Sequence, residues 1–140
     1  MPPSEAAETP APRYGARAIA EAELERWPNA APERDYEIAI SLPEFTCLCP
    51  RSGYPDFARL ELRYVPDRWV VELRSIKLYV NAYRELAIAH EAVTNRILDD
   101  LVALLEPRWM ELRADFNPRG NVHTVVTARH RQPDWVDRRG

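Results

Sequence analysis

The sequence predicts an α+β domain: a four-stranded antiparallel sheet with two helices packed on one of its faces. Three observations point to it. Apolar and polar residues alternate at 36–42 and again at 59–64, the period of half-buried strands. From about 75 to 105 the apolar spacing lengthens to the three and four of a helix. Alternation then returns at 110–116 and 122–127. An order of strand, strand, helix, helix, strand, strand closes most simply as an antiparallel sheet with both helices on one side.

Residues 1–34 are rich in Ala, Pro and Glu, with prolines at 2, 3, 10, 12, 28 and 32. They read as a flexible N-terminal arm with a short helix around Ala18–Arg26. The first strand sets Tyr36, Ile38, Ile40 and Leu42 against Glu37, Ala39 and Ser41, and the second sets Leu60, Leu62 and Tyr64 against Arg59, Glu61 and Arg63. Pro66-Asp67 turns the chain. The first helix starts at about Ser75, a candidate N-cap, and places Ile76, Val80, Tyr83 and Ala87 on one face. The second runs from about His90 to Leu105, with Val93, Ile97, Leu101, Leu104 and Leu105 inward, and Pro107 stops it. Met110, Leu112, Ala114 and Phe116 form the third strand, Asn117–Gly120 a turn, and Val122–Thr127 the fourth. One domain thus occupies 35–128, followed by a polar, loosely held tail at 129–140. Such a sheet has two open edges, and pairing them between copies of the chain gives a symmetric oligomer.

The 140 residues fit one domain. No apolar run approaches the roughly 18 residues that span a bilayer, and the N-terminus lacks a secretion signal, so a soluble cytoplasmic protein is expected. A net charge of -3 argues against a dedicated nucleic-acid binder but leaves room for local phosphate sites. Cys47 and Cys49 are one residue apart, a poor spacing for a mutual disulfide, and His90, His123 and His130 supply no metal-ligand pairing. No metal is expected.

The loop from Glu44 to Phe57 joins the first two strands and carries both cysteines, with Pro50, Gly53 and Pro55 stiffening it. Cys49 as thiolate would be a nucleophile, and Asp56 on the same loop an acid or base. On spacing alone Cys49 also reads as a small buried hydrophobe and Asp56 as a turn residue, and both readings stay open. Glu72-Leu73-Arg74-Ser75-Ile76-Lys77-Leu78-Tyr79 brings two cations to the start of a helix, which suits a phosphate group or a solvated charged face. His90-Glu91 opens the next helix. Glu91 would complement the helix dipole there, or accept paired hydrogen bonds from a guanine-like edge.

Together Phe45-Thr-Cys-Leu-Cys-Pro with Pro55-Asp-Phe57, the block Glu72–Tyr79 and His90-Glu91 resemble the short form of the NADPH-dependent 7-cyano-7-deazaguanine (preQ0) reductases, of the tunnelling-fold superfamily. The likeness runs from about Tyr36 to Thr127. It implies that Cys49 adds to a nitrile to give a thioimide, that Asp56 is the proton donor, and that Glu91, His90, Glu72, Leu73 and Ser75 bind the substrate preQ0. It further implies that Arg74, Ser75, Lys77 and Arg119 bind NADPH, two per turnover. The product would be the aminomethyl compound preQ1, a precursor of the tRNA nucleoside queuosine. The family also suggests a decamer of two pentamers with sites between subunits. Arg74 stands where the family usually has lysine, and Ala89 where an aromatic residue is common. Two rivals are a related amidinotransferase, which lacks the NADPH block, and a non-catalytic oligomer that binds purines.

Overall fold

The computed structural model describes residues 13–139. A short helix α1 (Tyr14–Glu21) and strand β1 (Arg26–Pro28) precede the long strands β2 (Ile38–Leu48) and β3 (Pro55–Val65). Strand β4 (Trp69–Val71), helices α2 (Leu73–Asn81) and α3 (His90–Leu105), and strands β5 (Trp109–Phe116) and β6 (Val125–Arg131) follow. The main sheet is antiparallel throughout, in the order β2-β3-β5-β6, and β1 pairs with β4 as a separate ribbon. This is the α+β arrangement the alternation predicts. On one face Leu60, Leu62, Tyr64, Met110, Leu112 and Phe116 meet Ile76 and Val80 of α2 and Val93, Ile97 and Leu101 of α3 in a single core. Burial of an aliphatic side chain of this kind stabilises by about 1.5–3 kcal/mol, so the helices are held by their apolar stripes. The other face is charged and paired, as in Arg63–Glu37 at 2.8 Å and Arg129–Glu111 at 2.7 Å.

Four local features depart from the sequence expectation. Register slips between Leu42 and Phe45, at Pro43-Glu44. Proline cannot donate to a ladder and suits this edge strand, and the extra residue reverses the alternation. Ile38, Ile40 and Leu42 lie against the core, and after the bulge Phe45 and Cys47 are the buried pair. Next, Ala87 is not helical: α2 ends at Asn81, and Leu48 exchanges backbone hydrogen bonds with Leu86 and Ile88 at 3.0 Å each. That contact delivers the start of α3 to the end of β2.

The other two features concern the termini. Of the expected arm, residues 1–12 lie outside the described residues, whereas 13–34 pack on the domain. The helix is at Tyr14–Glu21 rather than around Ala18–Arg26, β1 is bonded to β4, and buried Asn29 donates to the Asp67 carbonyl at 2.7 Å. At the other end β6 runs to Arg131, past the expected Thr127, so 129–131 belong to the sheet. Beyond it Trp135 is buried and the Arg139 guanidinium lies 4.1 Å over Trp109.

Candidate active site

The turn that follows β2 is closed by its own backbone. The Cys49 amide donates to the Tyr54 carbonyl and the Gly53 amide to the Cys49 carbonyl, both at 2.8 Å. Gly53 sits at φ 74°, a left-handed conformation that costs glycine little and most residues more. Within this turn the Cys49 sulfur meets the Ser52 hydroxyl, the Ser52 and Arg51 amides and the Arg119 guanidinium, and these donors pull its pKa down to about 6. Cys47 is its opposite. It is 0% exposed, its sulfur faces the Ile88 carbonyl at 3.9 Å, and burial pushes its thiol up to about 11.

The two thiols should therefore be chemically distinct. A lowered pKa means that the Cys49 thiolate is present above pH about 6 and is lost as pH falls through that value. Iodoacetamide is expected to label Cys49 alone in the folded protein, at a rate that climbs through this range and then levels. Peptide mapping across pH checks it; equal labelling of Cys47, or an ordinary thiol midpoint for Cys49, would contradict it.

Asp56 begins β3 opposite Cys47 and is only 5% exposed. One carboxylate oxygen accepts a hydrogen bond from Arg119 Nη1, and the other lies 3.2 Å from His90 Nε2. The His90 ring is stacked on Phe116 with centroids 3.7 Å apart, which fixes its plane. Glu91 follows in the first turn of α3, exposed, its carboxylate without a protein partner among the described residues. The structure thus brings Cys49, Asp56, His90 and Arg119 together at one end of the sheet, with Glu91 beside them. Arg119, which the resemblance implies binds NADPH, donates to Asp56 here and keeps 45% of its side chain exposed.

The block 72–77 lies elsewhere. Glu72, not Ser75, is the N-cap of α2: its carboxylate accepts from the amides of Arg74 at 2.7 Å and Ser75 at 2.8 Å. Ser75 is 3% exposed, donates to the Glu72 carbonyl at 2.7 Å and accepts from the Glu25 amide at 3.0 Å. Arg74 and Lys77 are exposed, in no ion pair among the described residues. Leu73, 64% exposed, shares an apolar groove with Glu72, Trp27, Tyr36, Ile38 and Ile40, at the opposite end of β2 from Cys49. At about 3.3 Å per strand residue the two clusters of one chain are roughly 25 Å apart. Sequence reasoning passed over Ser52 and Phe116, whose roles are set by loop geometry and by stacking; only the position of Ser52, three residues after Cys49, hinted at a donor.

An antiparallel sheet roofed by two helices, with a thiol of lowered pKa and a buried carboxylate at one end, is the arrangement of a tunnelling-fold protein. The profile of QueF-like proteins matches residues 55–135. The NADPH-dependent 7-cyano-7-deazaguanine reductase of Synechococcus sp. (strain CC9605) is 65% identical over 127 residues, covering 89% of this chain and 98% of that protein. That of Aquifex aeolicus (strain VF5) is 59% identical over 117 residues, covering 84% of this chain and 91% of its own length. A crystal structure of the archaeosine synthase QueF-Like in the apo form superposes with a TM-score of 0.64 at 21% identity, over 69% of this chain and 95% of that one, and shows the shared fold. The chain belongs to the QueF-like family, with the NADPH-dependent 7-cyano-7-deazaguanine reductases.

Proposed function

We propose that this protein reduces the nitrile of 7-cyano-7-deazaguanine to the aminomethyl group of preQ1 at the expense of NADPH, in the formation of queuosine. The observation that carries the reading is a Cys49 thiol with a pKa near 6 beside buried Asp56, in a chain 65% identical to a reductase of that name. The Cys49 thiolate attacks the nitrile carbon. As the C–S bond forms, one π pair of the C≡N bond moves to nitrogen, which takes a proton from Asp56 and leaves a thioimide. His90, 3.2 Å from Asp56, is placed to return that proton. NADPH, as co-substrate, supplies the two hydrides that, with two protons, turn C≡N into CH2NH2. Between the two reductions the C–S bond breaks, the thiolate leaves and an imine remains, so Cys49 ends as it began. Covalent capture divides one difficult reduction into easier steps.

Exposed Arg74 and Lys77 suit the phosphates of NADPH, and exposed Glu91 suits the N–H edge of a guanine-like base. Glu72 and Leu73 lie too far from Cys49 of their own chain to touch the same small substrate. The reading therefore includes a homo-oligomer in which one copy contributes the thiol cluster and another the start of α2, within the pentamer pairs the family resemblance suggests. It also places the protein in the cytoplasm, acting on the free base and not on nucleic acid; among the described residues no helix is long and apolar enough to cross a membrane.

The test is direct. Protein mixed with preQ0 alone should gain the mass of one ligand per chain, and added NADPH should be oxidised at two per nitrile consumed. An unchanged intact mass with preQ0 would sink the thioimide. NADPH left unoxidised in the presence of preQ0 would favour the amidinotransferase or the binding protein.

A further inference from the structure

Arg119 stands on a more rigid support than a phosphate-binding surface arginine requires. Its amide donates to the Val122 carbonyl at 2.9 Å and accepts the Val122 amide at 3.0 Å on its own carbonyl, closing a two-residue turn. Gly120 at φ 56° and Asn121 at φ 72° both take the left-handed conformation that this tight turn demands, and Gly and Asn are the residues that adopt it most cheaply. At the start of the same loop the Asn117 amide donates to the Phe57 carbonyl at 2.8 Å, next to Asp56. The backbone therefore aims the side chain. Nη1 donates to Asp56, and the guanidinium carbon lies 5.8 Å from the centre of the Tyr54 ring, on the turn whose Tyr54 carbonyl accepts from the Cys49 amide.

We propose that Arg119 is a positioning residue for the nucleophile: its guanidinium, fixed on the Asp56 carboxyl and against the Tyr54 ring, bridges the acid and the cysteine turn and sets the spacing of Cys49 and Asp56 before substrate arrives. The charges around the sulfur show why such a bridge is needed. From β3 the buried Asp56 carboxyl lies at the same end of the sheet, held by Arg119 Nη1. From its own loop Cys49 has the Ser52 hydroxyl and amide and the Arg51 amide, and from α3 the imidazole of His90 faces Asp56. Among these groups Arg119 alone has a charge that no accessible pH removes. It favours a thiolate at Cys49 but cannot donate a proton, so its contribution is charge and geometry. With 45% of its side chain exposed, it retains donors for another partner. The inference rests on the reductase reading only for what the thiolate attacks.

The experiment uses the full chain with neither nitrile nor nucleotide. Iodoacetamide labelling of Cys49 is followed against pH by peptide mass spectrometry in wild type, Arg119→Ala, Arg119→Gln and Arg119→Lys, each first shown to be folded by circular dichroism. The alanine and glutamine variants should shift the labelling midpoint upward by about one pH unit or more, and slow labelling below neutrality roughly tenfold. Lysine should restore part of the shift. Thioimide formation from preQ0 without NADPH should slow in step. Unshifted midpoints in folded Arg119→Ala and Arg119→Gln, with only the KM for NADPH raised, would overturn the proposal in favour of a phosphate ligand. A shifted midpoint in a protein that never forms a thioimide would instead overturn the reductase reading and leave the bridge standing.

Discussion

Cys49→Ala is expected to abolish preQ0-dependent NADPH oxidation, lowering kcat/KM by at least about 10⁴-fold, while the protein folds as before. The sulfur lies on a turn held by backbone hydrogen bonds, which alanine preserves. What disappears is the accessible thiol of lowered pKa, the group proposed to form and break the C–S bond. Cys47→Ala should do the reverse. Its sulfur sits in the core between the sheet and the Ile88 carbonyl, so truncation leaves a small void and lowers stability by about 1 kcal/mol. Turnover should stay within a factor of two or so of wild type, because the void lies behind the acid and not in front of it. Steady-state rates together with thermal melts of the two variants check the pair. Measurable turnover by Cys49→Ala, or loss of turnover in a well-folded Cys47→Ala, would assign the nucleophile wrongly.

How such a distinction arises says what the sequence could and could not reveal. The strands were legible because each has one wet and one dry face: Leu60, Leu62 and Tyr64 against Arg59, Glu61 and Arg63 leave little choice of period. The helices were legible for the same reason at another period. A bulge adds one residue without changing composition, so the reversal at Pro43-Glu44, which turns Cys47 into the core, has no periodic trace. Capping was misread because Ser is the commoner N-cap. Here Glu72 caps, and Ser75 three residues on donates its hydroxyl to the Glu72 carbonyl while accepting from the Glu25 amide. The C-terminal strap is irregular and has no period at all. It is held by Arg139 over Trp109 and by the Arg139–Glu37 pair at 2.8 Å, contacts that bring together residues 102 apart in sequence.

The candidate site divides along the same line. Residue types and spacings named the thiol, the acid, the imidazole and the cation-bearing block, since each is a short local motif. Which of them meet in one chain depends on strand length and on the run 86–88 beside Leu48, and neither is local. Arg119 shows the consequence. The resemblance implies that it binds NADPH, and no local pattern shows that the turn at Gly120-Asn121 also sets it on Asp56.

Mixing two inactive variants should restore activity. Glu72→Gln keeps one oxygen to accept from one of the two amides that the carboxylate caps, so part of the cap survives, and it removes the charge expected to bind substrate. Cys49→Ala keeps Glu72 and removes the thiol. One small heterocycle cannot span the roughly 25 Å between these residues within a chain, so on the proposed reading a working site takes its thiol from one copy and its Glu72 from another. In oligomers assembled at random from equal amounts, a given site has an intact thiol in half of cases and an intact Glu72 in half. About one quarter of wild-type activity is then expected, where each parent alone has almost none. Co-expression with distinguishable tags, purification of doubly tagged oligomers and measurement of preQ0-dependent NADPH oxidation make the test. Mixed oligomers that form but stay as inactive as their parents would mean that thiol and Glu72 must come from one chain, and would overturn the division of the site between copies.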